Sequence, residues 1–219
     1  MATITEQIIE PDLYVLHDVS WEFYEACLNE LGDRNIRLTY DRGTLEFMSP
    51  SETHNRSKRL LGRLIEALTE ELGIEIRSEG STTWRKKRLR RGLEPDEAYY
   101  VEHEPLVRGR ETIDPAVDPP PDLVIEVEVT RRIVDRLGIY AALGVREIWR
   151  CAADGLRVFV LGDDGKYHEA DQSPSFPFLP LEEVNRFFAR RNEMGETAWV
   201  RSFREWVRQM KPHWTQGQQ

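Results

Sequence analysis

Apolar positions along the chain change their spacing several times, and each spacing predicts a different element. Over residues 20–31, Phe23, Tyr24, Cys27, Leu28 and Leu31 recur at helical intervals, with Ser20 placed as the N-cap. Residues 36–40 and 44–48 flank Asp41-Arg42-Gly43 and predict a hairpin. From about residue 52, Leu60, Leu61, Leu64, Ile65, Leu68 and Leu72 define a strongly amphipathic helix that Gly73 is placed to end. Extended segments near 74–78, 81–85, 94–101 and 122–129 come next, then a helix over about 131–143 ending near Gly144 and a strand over 145–151. Residues 102–121, acidic and proline-rich, predict a long loop, while Asp154-Gly155 and Asp163-Asp164-Gly165 punctuate a meander. Leu181, Val184, Phe187 and Phe188 predict one C-terminal helix, and Trp199, Phe203, Trp206, Val207 and Met210 another. The aromatic stripe of the second reads as core, with a homodimer contact as the alternative. Residues 1–214 are expected to form one domain and 215–219 a disordered tail.

The chemistry begins with residues 121–129, Pro-Asp-Leu-Val-Ile-Glu-Val-Glu-Val. Strand side chains alternate between faces, so Leu123, Ile125, Val127 and Val129 form an aliphatic face and Asp122, Val124, Glu126 and Glu128 the other. Carboxylates this close repel one another unless a cation sits among them, and a divalent metal would resolve the conflict. An edge strand whose acids face water is the other reading. A second acidic segment, residues 92–101, also reads as extended, because Pro95 biases Glu94 away from helix and Tyr99, Tyr100 and Val101 suit a pleated surface. If the two strands are neighbours, Asp96 and Glu126 reach one ion.

Composition narrows the class. With 219 residues and 40% hydrophobic content the chain is long enough for one substantial core. Neither a membrane-length apolar run nor a signal-peptide pattern is visible, so a cytoplasmic protein is expected. Cys27 and Cys151 stand far apart and read as reduced core thiols. A net charge of -9 argues against nucleic-acid binding over the whole surface. Residues 85–91, with six basic residues in seven, provide a local exception, read either as a phosphate-binding arm or as a solvated hairpin loop. The chain has no phosphate-binding or dinucleotide-binding glycine motif and no closely spaced histidine pair. A paired-carboxylate glycosidase ranks last, for want of any sign of sugar recognition.

An acid after proline on one strand, followed about thirty residues later by an acid in a hydrophobic strand, resembles the core of the PD-(D/E)XK nucleases. Glu94-Pro95-Asp96-Glu97, residues 119–127 and residues 135–149 together resemble a bacterial restriction-endonuclease family within that superfamily. The likeness continues in residues 44–50 with His54 shortly after, and in residues 175–180, so most of 36–181 is covered. The resemblance implies an α/β fold with a restriction-endonuclease-like PD-(D/E)XK core, a mixed sheet flanked by helices, with an added N-terminal hairpin and C-terminal helices. It further implies Mg²⁺-dependent hydrolysis of DNA phosphodiester bonds, Mn²⁺ substituting. Asp96 and Glu126 would hold the metal, with Glu128 completing the shell and Glu46 a third acid at the same cleft. The superfamily's lysine, two residues after the glutamate, is replaced here by Glu128. The resemblance points to Arg136, four residues before Tyr140, as the displaced cation that stabilises charge on the phosphate. Arginine keeps the charge but does not deprotonate, so it is no proton-transfer base. The competing expectation is a non-catalytic nucleic-acid-binding or assembly protein on the same scaffold.

Overall fold

A computed structural model describes residues 13–32, 34–115, 117–128 and 134–216, with the side chains of 215 and 216 excluded. In chain order the elements are β1 (Leu13–Leu16), α1 (Trp21–Leu31), β2 (Arg37–Asp41), β3 (Thr44–Met48), α2 (Glu52–Leu72), β4 (Arg77–Ser78), β5 (Trp84–Lys86), a single tight turn (Lys87–Leu89), β6 (Arg91–Leu93), β7 (Glu97–Tyr100) and α3 (Glu104–Val107). They continue with β8 (Leu123–Val127), α4 (Arg136–Leu143), β9 (Glu147–Ala152), β10 (Gly155–Leu161), β11 (Tyr167–Ala170), α5 (Leu181–Ala189) and α6 (Glu196–Gln216).

These strands make two sheets. The first, ordered β1-β3-β2-β6-β5, is antiparallel throughout. In the second, ordered β11-β10-β9-β8-β7-β4, only β8 and β9 run parallel. A parallel pair needs a crossover, and α4 lies within that connection. Both faces of β8 are therefore covered, which accounts for its nearly continuous aliphatic sequence. Leu123, Ile125 and Val127 join the core with Leu60, Leu64 and Leu68 of α2 and Trp199, Phe203 and Val207 of α6. Val124 faces the other way, into a cluster with Ile139, Tyr140 and Leu143 of α4. The alternation expected for this strand is thus present, and it delivers Glu126 to the α4 side. Val129 lies outside the described residues.

Local chemistry sets the helix ends. Ser20 Oγ accepts from Phe23 N at 3.1 Å and Ser51 Oγ from His54 N at 3.2 Å, each satisfying a first-turn donor. Gly73, at φ 71°, adopts the left-handed conformation that closes α2. Much of the C-terminal stripe is core: Trp199, Phe203 and Val207 are buried, and the half-buried Trp206 packs at an angle against Phe187, Phe203 and Trp214. Arg204 and Arg208 of α6 both bind Glu71 of α2.

Several boundaries differ from expectation. The extended run over 94–101 is broken: β6 ends at Leu93, β7 begins at Glu97, and the chain crosses from the first sheet to the second around Pro95. Proline supplies no N–H to a ladder, so a break there is physically natural. The segments expected at 74–78 and 81–85 shrink to Arg77–Ser78 and Trp84–Lys86. The 102–121 loop contains the one-turn α3. Helix α4 starts only at Arg136, with Asp135 Oδ1 capping Gly138 N at 3.1 Å; residues 129–133 are not described. Helix α6 runs through Gln216, two residues into the expected tail, and 217–219 lie outside the described residues. Strand β1 had no expectation attached to it.

Candidate active site

The site lies where the two sheets meet. Strands β2 and β3 contribute Arg37, Thr39 and Glu46, the β6–β7 crossing contributes Asp96, β8 contributes Glu126, and helices α2 and α4 contribute His54, Arg136 and Tyr140. All but Tyr140 are buried polar or charged side chains, and Tyr140 is buried too.

Its centre is an ion pair. Arg136 Nη2 lies 2.5 Å from Glu126 Oε1 and also donates to Glu94 O at 2.7 Å and Tyr140 Oη at 3.3 Å. Arg136 Nη1 donates to Thr39 Oγ1 at 2.7 Å. The Tyr140 hydroxyl in turn donates to Glu126 Oε1. Arg136 and Tyr140 share a helix face because they are four residues apart. Burial works against the guanidinium's charge, but the adjacent Glu126 carboxylate outweighs it and pushes the pKa up. Burial beside Glu126 also holds the Tyr140 hydroxyl well above its ordinary pKa. Arg136 Nε is buried with no hydrogen-bond partner among the described residues.

Asp96 forms the second half. Its Oδ2 accepts from Val127 N at 2.7 Å and lies 3.0 Å from His54 Nε2, while Oδ1 is 3.8 Å from Arg37 Nε. The bond to Val127 ties Asp96 to the residue following Glu126. Arg37 Nη1 donates to Pro95 O at 2.6 Å and Lys58 Nζ to Asp96 O at 3.0 Å, so the backbone on both sides of the crossing is clamped. Glu46 Oε2 accepts from Val134 N at 3.2 Å, just before α4, and Glu46 is the cross-strand partner of Thr39.

Asp96, Glu126, Glu46 and Arg136 therefore occupy one buried region. Glu128 does not join their hydrogen bonds: past the end of β8, half-buried, it is bound by Arg150. Asp122 is also engaged away from the Glu126 cluster. Its Oδ2 accepts from Val101 N at 2.7 Å and His103 N at 2.9 Å, meeting the need of backbone donors at the end of β7. The basic run over 85–91 is partly tied to the protein, while Lys87, Arg88 and Arg90 are exposed. Lys86 reaches Leu143 O, Lys87 pairs with Glu22, Arg90 binds the Tyr40 hydroxyl, and Arg91 binds Asp41 and Gly138 O.

Reading the sequence missed Arg37, Thr39 and Lys58. The alternation Arg37-Leu38-Thr39-Tyr40-Asp41 was a usable signal, since it puts three polar residues on one face of a strand whose other face is core.

Among the described residues no three His, Cys, Asp or Glu side chains are arranged to hold a metal ion. Two carboxylates from adjacent strand ends, Asp96 and Glu126, nevertheless offer the hard oxygen donors that suit Mg²⁺. That ion commonly takes one or two protein carboxylates and keeps water in its remaining positions. The donor chemistry fits at these two residues, whereas Glu128 lies with Arg150.

A mixed sheet with a parallel pair bridged by a helix, flanked by helices and bearing buried acids on and beside its inner strands, defines an α/β protein of the restriction-endonuclease-like class. The chain belongs to the Uma2 family, described as putative restriction endonucleases, whose family model matches residues 21–188. No curated protein matches the chain. No described helix is long and apolar enough to cross a membrane.

Proposed function

We propose that the protein hydrolyses DNA phosphodiester bonds with Mg²⁺, or Mn²⁺ in its place, at the site formed by Asp96, Glu126 and Arg136. The observation that carries this reading is the tie from Asp96 to Val127 N beside the Glu126–Arg136 pair, which holds two carboxylates and a permanent cation in one buried cluster. A bound divalent ion supplies Lewis acidity and lowers the pKa of attached water. Asp96 and Glu126 would hold it, and the Val127 amide and His54 orient the Asp96 carboxylate. Arg136 remains a cation throughout and acts by charge and hydrogen bonding, never as a base. Its Nε is buried and has no hydrogen-bond partner among the described residues. Glu46 borders the site through Val134 N, and Glu128 serves as Arg150's partner.

The second reading, a nucleic-acid-binding scaffold without catalysis, is favoured by two features: the Glu128 position carries no lysine, and Arg136 spends four hydrogen bonds inside the protein. Cleavage of supercoiled plasmid and of short duplexes with Mg²⁺ or Mn²⁺, beside Asp96→Asn and Glu126→Gln, separates the two. Hydrolysis by the parent protein that both variants lose supports the nuclease. Activity equal to that of the variants gives the scaffold the better claim. A cytoplasmic protein and a homodimer are consistent with this proposal, and size-exclusion chromatography with light scattering tests the dimer.

A further inference from the structure

Beside the Pro95–Asp96 crossing runs an open groove of about 710 Å³ lined in part by Arg34, Arg37, Asn55, Lys58, Arg59 and Glu94. Among the described residues four cations and a single carboxylate line it, on a chain whose net charge is -9. Two of those cations are committed: Arg37 to Pro95 O and Lys58 to Asp96 O and Glu97. Arg34 and Arg59 are exposed, and neither guanidinium forms a hydrogen bond or ion pair with any other described residue. They project from different elements, one just after α1 and the other from the third turn of α2. The same groove carries the hydroxyls and amides of Thr82, Thr83 and Asn35, which are neutral hydrogen-bonding groups.

We propose that this groove holds the phosphate backbone of nucleic acid, with Arg34 and Arg59 making the phosphate contacts and Lys58 and Arg37 linking the groove to Asp96. The assignment rests on the nuclease reading for its ligand class, but it places the binding cations on the α1–α2 side and not in the basic run at 85–91. Free guanidinium groups over a polar groove match a polyanion. Because Lys58 and Arg37 touch both the groove and the Asp96 crossing, a strand lying there would pass the acidic site. Backbone contacts position a strand without reading its sequence, so the groove is expected to accept DNA irrespective of base order.

The test measures binding of a short fluorescent DNA duplex without divalent metal, at several salt concentrations. Variants are Arg34→Gln/Arg59→Gln and, as a charge-matched control, Arg186→Gln/Arg190→Gln on α5 and at its C-cap, whose arginines pair with Glu182, Glu183 and Glu193. Each lost phosphate contact lowers the salt slope by about 0.9 and weakens binding roughly 8-fold at ~0.1 M salt. The groove variant should therefore lose about 1.8 in slope while the control stays near the parent protein. Equal losses in both variants, an unchanged groove variant, or no binding of the parent without metal would each overturn the groove. Failure of the nuclease reading shows separately, as a protein that binds duplex through Arg34 and Arg59 yet cleaves nothing with Mg²⁺ or Mn²⁺.

Discussion

At the scale of single residues, Arg136 governs what mutation can reveal. It is a fork joining Thr39, Glu94 O, Glu126 and Tyr140, so removing it takes the Arg136 cation away from a buried carboxylate. Breaking such a pair on one side costs about 3–5 kcal/mol, whereas replacing both members by apolar residues is often nearly neutral. Urea unfolding of Arg136→Met should show a loss in that range, and Arg136→Met/Glu126→Leu should recover most of it. A single-variant loss under ~1 kcal/mol would mean the pair is far less buried than its geometry indicates. Arg136→Lys restores charge but has no planar fork to span three directions, so partial rescue is expected. Cleavage by any Arg136 variant is therefore interpretable only beside its stability. Glu94 gives a pH test at the same scale. Burial pushes its carboxyl pKa above 4.5, with Arg37 opposing, so the folded state favours the neutral acid. Its contribution to stability is present in full below pH 4.5 and is lost as pH rises through the raised value. Glu94→Gln should thus raise the melting temperature at neutral pH, with the gain vanishing below pH 4.5. A gain that persists in acid would refute this account.

At the scale of elements, what could be read from the sequence follows from what is local. Helices α1 and α2 were legible to within a residue because their caps, Ser20 and Ser51, and the apolar intervals behind them act over a few positions. The β2–β3 hairpin was legible for the same reason, with Gly43 at φ 108° in its turn. The division into two sheets was not, since which strands pair depends on distant partners: β6 takes β2 and β5, while β7, four residues later, takes β8 and β4. The sequence leads one to expect Asp96 as a metal-holding acid, yet its position in the crossing, clamped by Arg37 and Lys58, depends on contacts that no spacing displays. Glu126 was legible because strand alternation alone fixes its face. Asp122 obeys the same alternation, but the unsatisfied amides of Val101 and His103 draw it away. The β5–β6 hairpin yields a prediction of its own. A methyl group added at Gly92 would stand 2.5 Å from the Tyr24 hydroxyl and 2.9 Å from Arg85 Cβ. Tyr24 is fully buried and stacked on Tyr40, so it has little room to withdraw. Gly92→Ala should cost about 1–3 kcal/mol by overpacking, and Gly92→Ala/Tyr24→Phe should recover part of it. Chemical denaturation measures both, and an unchanged single variant would show that α1 shifts freely against the first sheet.

At the scale of the whole molecule, the two sheets are joined through the candidate site as well as through the chain. Thr39 and Glu46 belong to the first sheet, Glu126 to the second, and Arg136 and Val134 bind across them. An ion held by Asp96 and Glu126 would sit at that junction and bind only the folded arrangement. Ligands selective for the native state stabilise it by about 2.7 kcal/mol at a concentration one hundred times Kd. Calorimetry should therefore find a melting temperature that rises with Mg²⁺ or Mn²⁺ concentration, whether or not DNA is cleaved. The response should disappear in Asp96→Asn/Glu126→Gln, whose amides keep the size of the acids but lack their charge. Glu128→Gln should retain it, because Glu128 is engaged by Arg150 outside the central cluster. Retention by the double amide variant would place the ion elsewhere. Loss in Glu128→Gln would instead return Glu128 to the metal shell and require Arg150 to release it on binding.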